Sequence, residues 1–184
     1  MSKGISGLFE WTIGHIRFIG GRIIPGKDGV VTGGSSQRLK GNLMEEMGLP
    51  KKTNAKGYQA QHIIPREVAT HPVIQKMGMD LDDASNGIFL PALKSKLSAL
   101  SKHRGYHKVY TDFVRSKLDE IDVNSSSIEL QKQVRNLQRK LRRLQENGVP
   151  LYIGYSGKDG KSGIYPNRKG NTVEMWARRF NALS

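Results

Sequence analysis

Residues 59–65 read Gln59-Ala60-Gln61-His62-Ile63-Ile64-Pro65, and residues 103–107 read His103-Arg104-Gly105-Tyr106-His107. Between them lies Asp83-Ala84-Ser85-Asn86-Gly87-Ile88-Phe89-Leu90-Pro91. Residues 58–64 read as a short strand stopped by Pro65, and 87–90 as a second one. The turn-rich acidic stretch 80–86 joins them, and helical stretches are expected at about 91–100 and 105–122. Two strands, a loop and a following helix bring His62, Asn86, His103 and His107 into one neighbourhood. His103 and His107 are spaced i, i+4, and on a helix such side chains share a face with Cβ atoms roughly 5–6 Å apart. Gln61 and His62 are neighbours on a strand and point to opposite faces unless the strand ends or bulges there. These groups can hold one divalent metal beside one imidazole base.

Composition narrows the partners. The chain has 184 residues, with 30 Lys and Arg against 16 Asp and Glu, a formal charge of +14. That length suits one domain with a small appendage. The charge points to nucleic acid, an anionic surface or an acidic protein. There is no cysteine, which excludes disulfides and thiolate metal sites and leaves His, carboxylate or amide oxygen as ligands. The apolar stretch 8–24 is interrupted by Glu10, His15, Arg17 and Arg22, so neither a cleaved secretory leader nor membrane insertion is expected.

Residues 1–35 are glycine-rich and read as short strands and turns, or as a linker. Ser35 or Ser36 caps an expected helix over 36–47, ended by Gly48 and Pro50. Residues 66–77 have helical composition and must break near His71-Pro72. The most regular segment is 126–147, where Leu130, Val134, Leu137, Leu141 and Leu144 repeat at steps of 4, 3, 4 and 3. This predicts an amphipathic helix with Ser127 as cap, Gly148-Val149-Pro150 as stop, and a solvated basic face. A strand over 151–155, a Gly- and Lys-rich loop over 156–170 and a helix over 172–183 complete the chain. His15 and His71 read as structural, Trp11 and Trp176 as core. The class is α+β, mostly helical, with small hairpins, divided as 1–35, 36–122 and 123–184.

The order Ala60-Gln61-His62 with Ile-Ile-Pro, then Ser85-Asn86-Gly87, then His-x-Gly-x-His with Tyr110 and Val114 resembles the AHH branch of the HNH/endonuclease VII nucleases. These are ββα-metal, or His-Me finger, enzymes, found as bacterial polymorphic toxin domains and related to colicin DNases. The resemblance covers about residues 36–121. It implies a ββα-metal core with His62 as general base, Asn86 as the residue fixing the loop around that base, and His103 and His107 as the metal pair. Gln61 stands where the family usually has a third histidine ligand, so its amide oxygen is the candidate third donor. A Gln donor favours harder ions, making Mg or Mn the expected metal and Zn or Ni the alternatives.

An imidazole with an ordinary pKa near 6.5 is a competent base at neutral pH, and the basic charge suits a phosphodiester substrate. Arg66, Lys102, Arg104 and Lys108 are the cations expected nearest the backbone. The leading expectation is a non-specific DNase toxin, with RNA as the other substrate. Export would use a specialised secretion apparatus or a carrier chain without a cleaved leader. The domain would act in a target cell's cytoplasm, and an acidic immunity protein would protect the producer. The rival readings are a catalytically silent nucleic-acid-binding domain with a degraded metal site, and a basic carrier-docking module.

Overall fold

The computed structural model describes residues 22–92, 107–149, 151 and 172–183. In chain order these form β1 (Val31–Thr32), α1 (Ser36–Glu46), β2 (Tyr58–His62), α2 (Pro72–Met77), β3 (Met79–Asp80), β4 (Gly87–Pro91), α3 (Lys108–Asp119), α4 (Ser127–Glu146) and α5 (Val173–Asn181). Single 3-10 turns occupy Arg66–Val68 and Ala84–Asn86. The class is α+β and mostly helical. Among the described residues no helix is long and apolar enough to cross a membrane.

β2 and β4 pair antiparallel, with Gln61 opposite Ile88 and His62 opposite Gly87. An isolated two-stranded ribbon is marginal in water, and this one is covered on both faces. Ala60 and Phe89 pack with Leu39, Leu43 and Met44 of α1. Ile88 and Leu90 join a larger cluster with Ile63, Tyr110, Phe113, Leu141 and Trp176. Each fully buried Leu, Ile or Phe contributes roughly 1.5–3 kcal/mol, so the sandwiching helices, rather than two strands' hydrogen bonds, hold the ribbon. α1 lies so close that a Cβ on Gly87 would stand 2.7 Å from Leu39 Cδ1.

The caps show why the helices begin where they do. Ser35 Oγ accepts from Arg38 N, and Thr172 Oγ1 from Met175 N. α4 is capped by Ser126, whose Oγ accepts from Glu129 N, not by the expected Ser127. His71 is structural as expected: its Nδ1 accepts from Val73 N and its Nε2 meets Asp119. Two boundaries differ from expectation in ways that matter. β2 stops at His62 rather than 64, because Asn86 N, which would return the next ladder bond to Ile63, donates instead to Asp83 O within the 3-10 turn. α3 starts at Lys108, and His107 precedes it in a non-helical conformation (φ −136, ψ 84). The shared-face argument for His103 and His107 therefore fails at its second member. His103, Lys102, Arg104, most of the expected helix at 91–100, residues 152–171, His15 and Trp11 lie outside the described residues.

Residues ahead of α1 pack onto the domain: Ile24 is buried, and β1 runs parallel to β3 with Val31 opposite Met79. α4 buries the five expected apolar residues, and Trp176 of α5 is core as expected. It also buries Gln131, Gln138 and Gln145, a row at seven-residue steps along one face.

A close approach fixes Gly78, which ends α2 at φ +66 with Lys27 O only 1.7 Å from where a Cβ would stand. Gly48 has a similar φ of +75 and nothing within 4 Å. Gly78→Ala should therefore lose well over the ~1–3 kcal/mol of backbone strain alone, while Gly48→Ala loses only that strain. Urea unfolding of the two variants checks this, and equal losses would show that the Lys27 contact is not constraining.

Candidate functional site

The end of β2 presents two polar side chains to opposite sides. Gln61 faces α3: its Nε2 donates to His62 O at 2.8 Å, and this aims its Oε1 at His107 Nε2, 2.9 Å away. Both side chains are buried. Burial pushes the His107 imidazole down to about 4, with its own backbone and Glu67 opposing and His62 adding to the fall. His107 is thus neutral near pH 7, the form that can donate one N–H or ligate a cation. The edge of the ring packs against Tyr110 at a centroid distance of 5.2 Å.

His62 turns the other way, toward Asp82. Its Nε2 lies 2.9 Å from Asp82 Oδ1, which also accepts Gly34 N and Ser35 N at 2.8 Å each. An oxygen already receiving two backbone N–H groups is an acceptor, so His62 Nε2 carries the hydrogen. Nδ1 is then the basic nitrogen, and among the described residues it has no protein hydrogen-bond partner. Asp82 is the functional residue that sequence reasoning missed. The acidic run Asp80, Asp82, Asp83 was visible, but only the fold tells which carboxylate meets the histidine. The other two serve the loop itself: Asp80 Oδ1 accepts Asp82 N, and Asp83 Oδ1 accepts Ser85 N.

Asn86 is fully buried and fully used. Oδ1 accepts Ile64 N at 2.9 Å and Gln138 Nε2 at 3.0 Å, while Nδ2 donates to Ile64 O and Leu81 O. An amide has no further strong capacity, so Asn86 positions the strand end and offers a substrate nothing. α4 reinforces it. Arg142 Nη2 donates to Ser85 O and Gly87 O at 3.2 and 2.9 Å, and Gln145 donates to Tyr110 Oη, which in turn donates to Ile63 O. Burial lowers the Arg142 guanidinium to about 10 and pushes the Tyr110 phenol up; the arginine stays charged and the phenol protonated at neutral pH.

The expected backbone-binding cations divide. Arg66 is exposed beside Glu67, with a 3.5 Å contact, and Lys108 pairs with Asp112 one turn along α3. Lys102 and Arg104 lie outside the described residues. Among those described, no three His, Asp or Glu side chains surround one point. Gln61 Oε1 and His107 Nε2 would serve a shared cation only once their hydrogen bond opens and the imidazole proton moves to Nδ1. Their 2.9 Å separation is close to the roughly 3.0 Å between adjacent donors of an octahedral ion with ~2.1 Å bonds. The neutral imidazole and amide oxygen are suitable donors.

A family model described as a nuclease family of the HNH/ENDO VII superfamily with conserved AHH matches residues 42–147. No curated protein and no solved structure matches the chain.

Removing the Asn86 amide would leave one buried donor and two buried carbonyls at Ile64 and Leu81 without it, along with the Gln138 amide. Each unmade buried bond costs about 1–3 kcal/mol. With four such bonds lost, Asn86→Ala should destabilise the folded protein by at least about 4 kcal/mol. Denaturant titration gives the value, and a loss under about 1 kcal/mol would show that water replaces the amide freely.

Proposed function

Because this chain belongs to the AHH nuclease family of the HNH/ENDO VII superfamily, we propose that it is a DNA endonuclease with His62 as its general base. The observation that carries the proposal is the imidazole of His62, fixed through Nε2 by Asp82 with Nδ1 left basic. In this reading Nδ1 takes a proton from water, the resulting hydroxide attacks phosphorus, the P–O bond to the 3′ oxygen breaks as that oxygen takes a proton from a second water, and His62 returns its proton to solvent. Gln61 and His107, with His103, would hold one divalent cation, Mg or Mn in preference to Zn or Ni. Such an ion neutralises charge on the phosphate and stabilises the departing oxygen. Asp82 holds the base's tautomer, and Asn86 holds the backbone that carries it.

A duplex is favoured over a single strand because the formal charge of +14 gains more from its denser backbone charge, and duplex DNA is the substrate proposed. Lys102, Arg104, Lys108 and Arg66 would add sequence-independent contacts. A base and metal pair with no evident base selectivity suits a toxin domain. It would be exported by a specialised apparatus or carrier chain, act in a target cell's cytoplasm, and be restrained at home by an acidic immunity protein. The direct Gln61–His107 hydrogen bond favours one rival, a silent nucleic-acid-binding domain.

Plasmid cleavage with Mg²⁺, Mn²⁺, Ni²⁺ or Zn²⁺ against a chelator control separates these readings, with an RNA duplex run in parallel. Metal-dependent nicking is expected; salt-sensitive binding without cleavage under every ion would establish the silent domain instead.

His62→Ala should lower the cleavage rate by about 10²–10⁴ and leave metal affinity unchanged. His107→Ala should weaken metal binding as well as cleavage. Calorimetric titration alongside single-turnover rates distinguishes the two, and undiminished cleavage by folded His62→Ala would remove His62 as the base.

A further inference from the structure

One side chain beside His62 has no role in the account above. Arg38, in the first turn of α1, places Nε 3.2 Å from Asp82 Oδ2, with its side chain 71% exposed and that of Asp82 only 3%. An ion pair between two exposed groups is loose and weak. Here the carboxylate is immobile, its other oxygen held by Gly34 N, Ser35 N and His62 Nε2. The Nε edge of the guanidinium lies beside that carboxylate at ion-pair distance, although Oδ2 receives no hydrogen bond. Among the described residues its terminal amino groups have no protein acceptor.

A second arginine stands across the same loop. A Cβ on Gly34 would lie 3.3 Å from Arg66 Cβ and 3.7 Å from Arg66 Cδ, so the Arg66 stem runs directly over Gly34. Arg66 is 68% exposed, and its Glu67 contact is a long 3.5 Å. Gly33 and Gly34, at φ +87 and +105, let the loop lie flat on Asp82; a Cβ on Gly33 would stand 2.7 Å from Asp82 N. One buried carboxylate therefore anchors the imidazole, the loop between the arginines, and Arg38 itself.

The geometry points to Arg38, with Arg66 across the Gly33–Ser35 loop, as a phosphate-binding pair that seats the nucleic-acid backbone beside His62. This rests on the nuclease reading for its substrate. A guanidinium paired with a carboxylate on its Nε side still offers its terminal amino groups to a phosphate, a planar contact that lysine cannot reproduce. The neighbouring carboxylates Asp80, Asp82, Asp83 and Glu67 argue against a broad attractive field here. Binding at this point depends on aimed donors rather than on local net charge. Asp82 couples the two functions: it sets which nitrogen of His62 is basic and where the arginine's free edge sits.

The test measures duplex DNA binding by the full-length protein in EDTA as salt is varied, alongside cleavage rates with metal. One lost phosphate contact lowers the slope of log affinity against log salt by about 0.9. Arg38→Ala and Arg66→Ala should each lower it by about that amount, and the double variant by about twice as much. Arg38→Lys should keep the slope, which counts charge, and lower kcat/KM for cleavage, which needs the aimed fork. Arg38→Ala removes the partner of a buried carboxylate; Arg66→Ala touches none and keeps the test valid if the first variant folds poorly. Wild-type slopes in both alanine variants would overturn the proposal, including where cleavage falls, since Arg38 would then act only through Asp82. A wild-type protein that cleaves nothing under any ion while the slopes still drop would sink the nuclease reading and leave the phosphate pair standing.

Discussion

The hydrogen bonds of the Asn86 amide are what the rest of the site depends on. The segment from Ile63 to Pro65 leaves the hairpin and runs through the interior, where its peptide groups cannot reach water. A buried backbone group without a partner is expensive, and no strand or helix is available to supply one. Asn86 acts as a substitute strand, accepting from Ile64 N and donating to Ile64 O. Its own carbonyl accepts from Ile63 N. With that exit path fixed, His62 is the last strand residue and its imidazole has a single direction in which to point.

α4 extends the same solution from outside the hairpin. Gln131 accepts from Ile23 N and Ile24 N, Gln138 donates to Asn86, and Gln145 donates to Tyr110. Two irregular segments and α3 are thus tied to one helix by three identical side chains. A helix is a good template for this purpose because its spacing is rigid: residues seven apart recur on nearly the same face about 10.5 Å farther along. The helix is therefore more than an apolar cover. Its leucines supply burial; Gln131 and Arg142 meet buried backbone groups directly, and Gln138 and Gln145 brace the Asn86 and Tyr110 side chains that meet others.

Much of this was legible in the residues. The strand pair, α1 with its Ser35 cap, the break at His71-Pro72, and the apolar stripe of α4 all follow from local patterns that tertiary contacts did not override. The opposite facing of Gln61 and His62 followed from the two-residue period alone. What escaped was non-local or polar. Asp82 is one of several acidic loop residues, and nothing in its neighbours marks the one that reaches His62, 20 positions away. The row Gln131, Gln138, Gln145 was visible as a seven-residue repeat, but a search for apolar periodicity passes over buried amides. The start of α3 slipped past His107 because composition does not locate a helix end to within a turn.

That slip changes the physical character of the candidate metal pair. On a helix, His107 would share a face with His103 and meet a cation through spacing alone. Placed ahead of α3, it is oriented instead by Gln61, whose Oε1 takes the Nε2 hydrogen. A cation using both atoms must break this hydrogen bond and move the imidazole proton to the other ring nitrogen. The bond is worth only about 0.5–1.5 kcal/mol net, a small penalty against ligation. The larger effect is on selectivity. A neutral amide oxygen gives less than an imidazole to a borderline-soft ion, and about as much to a hard one. In the proposed site, the glutamine would tilt selectivity away from zinc and toward magnesium or manganese. The His107–Gln61 contact keeps both side chains buried side by side at the end of β2.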